Sequence, residues 1–192
     1  MKKIVALLLA LFMILTLCAC GKEEEKDKTA KATIDSYAEK GEIPEIKVSL
    51  GATVDKVKEV FPAPSNDVDE ENKDVLLGDT EGTLAVCLET FNASFYYEKA
   101  NIEHGISVIA VTGGSVFGLE LGNTTTKSDI TSKLEAKYTE SIATPEQQYF
   151  LPGYSENCQI ISATFGKIRL DFFLSDGFLI AATLTNTEYW TD

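Results

Sequence analysis

IRLDFFLSDGFLIAATLTN, residues 168–186, reads as a β-hairpin. Ile168, Leu170, Phe172 and Leu174 alternate with Arg169, Asp171, Phe173 and Ser175, the period of two that puts one face of a strand on a core. Asp176-Gly177 follows, a dipeptide that reverses a chain between paired strands. Phe178 to Thr185 is the returning strand. Just upstream, CQIISATF at 158–165 supplies a third, so this end of the chain predicts an antiparallel meander.

An earlier stretch has the same design. SFYYEKANIEHGISVIAVTGG, residues 94–114, is again strand, turn and strand, preceded by TLAVCLE at 83–89. Each meander also has a helical lead-in. In IKVSLGATVDKVKEVF (46–61), Val54, Val57 and Phe61 share a helix face; in FGLELGNTTTKSDITSKLEAKY (117–138), Ile130, Leu134 and Tyr138 do. Both helices follow a Leu-Gly turn and threonines, with Thr53 and one of Thr126 or Ser128 as N-caps and Asp55 and Asp129 in the first turn. Gly51 and Gly122 lie 71 residues apart, as do Cys87 and Cys158. The expected fold is therefore α+β: two tandem repeats, each a helix packed on an antiparallel sheet of about three to four strands. The first covers residues 34–114 and the second 115–192, with Thr112-Gly113-Gly114-Ser115 as the turn between them.

Charge restricts the partners. The 192 residues carry a formal net charge of −13. Nucleic acid requires a basic footprint, so it is excluded as a partner class, and an anionic membrane surface would repel the folded part.

The chain opens MKK and continues with the apolar run Ile4–Leu17. A run of this length matches a signal-peptide core and falls short of the roughly 20 residues that span a bilayer. Leu17-Cys18-Ala19-Cys20 resembles the lipobox of bacterial lipoproteins. The resemblance implies that residues 1–19 are a signal peptide and that Cys20 carries a diacylglyceryl group at the mature N-terminus. Small Ala19 sets the register, because Leu17, before Cys18, is too bulky for that position. The polar run 20–33, with GKEEEKDK at its start, reads as a flexible charged tether, or as a short charged helix, between membrane and domain. The expected localisation is the extracytoplasmic face of a bacterial, Gram-positive, cell membrane.

A helix entered through an "LG-T" turn and followed by a meander looks like the BamE/SmpA lipoproteins. Its duplication looks like the beta-lactamase inhibitor protein and its relatives. The likeness runs from about Ile43 to Trp190 and is carried by pattern. It implies a concave outer sheet face that binds protein. No contact motif matches, so no binding residue is carried over.

Catalytic groups are sparse. His104, in a hairpin turn, is the one histidine, and it reads as a solvated turn residue before it reads as a base or a ligand. NDVDEEN (66–72) lacks the Gly and Glu of a calcium-binding EF-hand loop and reads as an acidic loop or a weak cation site. Thr112–Ser115 has glycines without the lysine of a phosphate-binding loop. No catalytic residue, metal or cofactor is expected. Tyr96, Phe173, Tyr189 and Trp190 are the candidate protein-binding face, since Tyr and Trp suit interface hot spots; alternatively they pack under loops. Cys87 and Cys158 either form a disulfide or are buried thiols. The function expected is a membrane-anchored, non-catalytic, protein-binding module whose partner is an envelope or extracellular protein. The alternative is a small-ligand-binding lipoprotein with its site between the repeats.

Overall fold

The computed structural model describes residues 33–61, 75–80, 82–87, 92–151, 153 and 155–190. The segment expected to be a signal peptide (1–19), the expected lipidation site Cys20, residues 20–32 of the expected tether and the acidic stretch 66–72 lie outside the described residues. Among the described residues no helix is long and apolar enough to cross a membrane.

Two short helices open the fold, α1 (Ile34–Ala38) and α2 (Val54–Val60). Thr33 caps α1 and Thr53 caps α2, each hydroxyl accepting a first-turn N–H. Strands β1 (Val75–Thr80), β2 (Thr83–Cys87) and β3 (Asn92–Tyr97) follow. A 3-10 segment at Lys99–His104 leads into β4 (Ile106–Gly113). The small hairpin of β5 (Ser115–Val116) and β6 (Leu119–Glu120) leads to α3 (Lys127–Thr131). The chain then forms β7 (Tyr138–Ile142), a 3-10 turn at Gln147–Phe150, β8 (Gln159–Phe165), β9 (Ile168–Ser175) and β10 (Phe178–Asn186).

Eight strands form one sheet in the order β1-β2-β3-β4-β10-β9-β8-β7, with every neighbouring pair antiparallel. This corrects the expectation of two helix-on-sheet repeats. β4 and β10 are buried along almost their whole lengths. Neither can serve as an edge, because an exposed apolar edge would leave its backbone groups and side chains unpartnered. They pair with each other instead, Val111 opposite Ala182 and Val108 opposite Thr185, and a single sheet results. The helices are also smaller than expected. Helix α3 ends at Thr131, so Tyr138 begins an edge strand and does not share a helix face with Ile130. The hydroxyls of Thr131 and Ser132 donate to the carbonyls of Ser128 and Asp129, a local alternative that weakens a helix. Asp35 accepts the N–H groups of Glu135 and Ala136, which a longer helix would have used.

The main core lies between the helices and one face of the sheet. Ile34, Val57 and Phe61 meet Phe95, Ile109, Phe172 and Leu184 there, and Phe61 stacks on Phe95 at 5.7 Å. Both Leu-Gly turns support this layer. Gly51 donates to the Ile106 carbonyl at the start of β4, and Gly122 to that of Leu179 at the start of β10. Glu45 accepts from Phe117 and Gly118, tying the N-terminal segment to the β5–β6 turn.

Candidate protein-binding surface

The opposite face of the sheet should be open if it is a binding surface. Its two ends are covered by residues of 143–151 and 155–158, here called the flap, with Trp190 adding to one of them. Gln148 fixes the internal shape of this flap. Its buried side chain donates to the carbonyls of Ala143 and Ser155 and accepts from the Ser155 N–H. Thr144 and Gln147 exchange a further reciprocal pair.

Under one end of the flap, Tyr96, Val108, Ala110 and Phe150 form an apolar cluster, with Trp190 against it. Tyr96 is 4.8 Å from Phe150 and 5.9 Å from Trp190, both edge-on, the arrangement favoured by ring quadrupoles. Burial pushes the Tyr96 phenol above its ordinary value, a hydrogen bond with Ser94 opposes this, and nearby Tyr149 adds to the rise. Under the other end, Phe173 packs with Ala143, Cys158, Ile160 and Ala181 and is 1% exposed.

A polar group separates the two clusters. Asp171, 1% exposed, accepts from Ser162 Oγ at 2.6 Å and from Arg169 Nε at 2.7 Å. Thr183 lies opposite Asp171 and Thr185 opposite Arg169, both buried. A buried carboxylate is tolerated only when it is paired and hydrogen-bonded, and this one is.

The expected binding residues therefore divide. Tyr96 and Trp190 come together, with Tyr96 buried and Trp190 half-buried against it. Phe173 belongs to the other cluster. Tyr189 stacks on His104 with ring centroids 4.0 Å apart, joining the segment after β10 to the turn before β4. The Glu98 carboxylate lies 3.4 Å from His104 Nδ1 without the alignment of a hydrogen bond. His104 is thus a half-buried packing residue in place of the expected solvated one. The concave, exposed aromatic face implied by the resemblance is corrected, because the flap occupies it. Tyr149 and Phe150, which lie outside the expected binding residues, belong to the same aromatic group. Their signal was the apolar triplet Tyr149-Phe150-Leu151 inside an otherwise polar loop.

Cys158 is a free, buried thiol, and burial raises its pKa against a weaker opposing hydrogen bond to the Leu174 backbone. Cys87 ends β2 and Cys158 immediately precedes β8, strands five places apart in the sheet order. That separation is about 24 Å along the sheet, against the roughly 7 Å limit between the α-carbons of a disulfide. Of the two alternatives, the disulfide fails on that ground, and Cys158 is the buried thiol of the other. The alternative ligand site between the repeats meets a comparable obstacle, since backbone pairing of β4 with β10 closes the seam.

What the described surface does expose is Tyr149 at 68%, on top of the aromatic cluster, with its ring 5.5 Å from Phe150 and 6.1 Å from Tyr96. Tyr138 and Ile142 project from edge strand β7, and Ile102 from the turn before β4.

No protein-family model matches the sequence, and no curated protein does. Among solved structures the chain is similar to a DUF4309 family protein, YjgB, from Bacillus subtilis, at 20% sequence identity and a TM-score of 0.51. The match covers 80% of this chain and 93% of that one, and it speaks for the fold alone.

Proposed function

We propose that this is a lipid-anchored protein of the extracytoplasmic membrane face whose folded part binds a protein partner and performs no catalysis. The Leu17–Cys20 sequence supports the anchor. For binding, the supporting observation is Tyr149, a large exposed ring held in place by the aromatic packing beneath it. A rigid Tyr loses little conformational freedom on contact and makes an effective interface anchor. Gln148 fixes the shape of the flap that carries it, and Phe150 seats the flap on Tyr96, so the ring is presented in one position.

The test is site-specific photo-crosslinking of the full chain in its own membranes. A benzoylphenylalanine at position 149 should give a discrete adduct with another polypeptide, whereas the same group at exposed Lys56 on α2 should not. In parallel, Cys20→Ala should abolish labelling by an alkyne fatty acid and release the chain from the membrane. Equal adducts at both positions, or none, refute the binding surface. Retention of label in the Cys20→Ala chain refutes the anchor.

A further inference from the structure

Strand β7 ends the sheet, and all five of its residues are exposed. The side of its backbone that faces outward follows from one hydrogen bond. Ala143 N–H donates to Cys158 O, one step beyond the pair Ile142–Gln159. In an antiparallel ladder, residues bonded to the partner strand alternate with residues that point away. Thr139 and Ser141 therefore face β8, while the N–H and C=O groups of Tyr138, Glu140 and Ile142 face away from the sheet. The open edge is bounded on both sides. Asp35 occupies the N–H groups of Glu135 and Ala136, and Gln147 occupies that of Thr144.

The open residues form a pattern that reads the same in both directions: apolar Tyr138, charged Glu140, apolar Ile142. We infer that β7 pairs antiparallel with β7 of a second copy of this chain about a two-fold axis at Glu140, joining two sheets edge to edge. In that register Tyr138 of each copy faces Ile142 of the other. All three outward-facing residues then exchange backbone hydrogen bonds, and the apolar cross-strand pair occurs twice. The interface is isologous, the kind a two-fold axis generates.

Charge does not oppose this register. Glu140 facing Glu140 would be repulsive if the carboxylates were bare. Each is already bound by Lys127 Nζ from α3 of its own chain, so two neutralised pairs meet at the axis. Lys127, Glu140 and Ile142 also line a groove of 260 Å³ with Gln159, Ile160 and Ile161 on this flank, into which the partner's Tyr138 side chain can settle. The contact is short and the chains are acidic, so the dimer is weak in free solution. The pairing uses no residue of the Tyr149 surface, and it stands whether or not that surface binds.

Cysteine cross-linking of the full-length chain, expressed with two different epitope tags and oxidised in its own membranes, tests the inference. Opposed residues at the axis lie about 5.5 Å apart between α-carbons, within disulfide reach. Glu140→Cys should give a homodimer containing both tags, and Lys56→Cys should not. Adding Tyr138→Lys and Ile142→Lys to Glu140→Cys should lower the cross-linked yield about tenfold. Circular dichroism should be unchanged, because the substituted side chains are exposed. Monomer alone, equal dimer from Lys56→Cys, or a Glu140→Cys adduct with a different polypeptide would each overturn the pairing.

Discussion

The Asp35 carboxylate accepts the backbone N–H of Ala136, 101 positions further along the chain. Its other oxygen takes the N–H of Glu135. One side chain at the first turn of α1 thereby ends the reach of α3 and sets where β7 begins. Asp35→Ala should cost about 1–2 kcal/mol, typical of a partly exposed charged acceptor, and Asp35→Asn about half as much. Urea unfolding followed by circular dichroism measures both. Equal stability of Asp35→Ala and the parent would show the link to be energetically silent.

Gly105 has a φ of +67° and sits under the α2 lead-in, where a β-carbon would lie 2.5 Å from Gly51 O and 2.6 Å from Ala52 O. Both oxygens are backbone, so relief requires moving the Leu-Gly turn. Gly105→Ala should destabilise by about 3 kcal/mol or more. Gly166 has a similar φ of +61° with open space around it, so Gly166→Ala should cost only about 1–2 kcal/mol. Thermal unfolding of the two variants separates steric conflict from conformational strain.

Arg169 and Asp171 predict a non-additive pair. Arg169→Met removes the cationic partner of a carboxylate whose side chain is 2% exposed, and should cost about 2–4 kcal/mol. Replacing both, as Arg169→Met with Asp171→Leu, should recover much of that loss, since neither charge is then buried alone. A double-mutant cycle from denaturant unfolding reads the coupling, and strict additivity would contradict it.

Asp129 titrates below the ordinary carboxylate value, first because the Thr126 hydroxyl bonds it and then because the Thr126 N–H does. A carboxyl group depressed on folding stabilises the fold above its unfolded pKa, and that stability is lost as pH falls through the folded one. The capping box of α3 should therefore weaken only in acid. Thr126→Val should move the Asp129 titration, followed by NMR, upward toward the unperturbed range. An unmoved titration would assign the shift to another cause.

Cys158 should resist a neutral thiol reagent in the folded chain, because it is buried and its pKa is raised. Pulse labelling with site-resolved mass spectrometry should show it modified only on the timescale of unfolding. Prompt labelling under native conditions would show that the flap opens by itself.

Much of the local structure was legible from spacing. Alternation over 168–186 and the Asp176-Gly177 turn correspond to β9, β10 and the reversal between them, with Gly177 at a φ of +83°. Thr53 and Thr126 cap the helices as residue type and position imply. β1 and β7 were not legible. YTESI presents Tyr138 and Ile142 to solvent, so no buried face imprints an apolar pattern on it. For the candidate surface, residue type pointed to Tyr96 and Trp190 but not to Phe150 and Tyr149, because nothing local says that a polar loop will fold back over a sheet.

The sequence alone determined where β2–β4, β8–β10, the Asp176-Gly177 turn and the Thr53 and Thr126 caps fall, because those depend on side-chain period, turn chemistry and first-turn hydrogen bonds within a few residues. Only the tertiary structure decided that β4 pairs with β10, that residues of 143–151 and 155–158 close over the outer face, and that Cys87 and Cys158 stand far apart. These outcomes turn on which apolar surfaces bury one another across long stretches of chain. Hydrophobic burial is non-directional, so an apolar strand signals that it must be covered without naming what covers it.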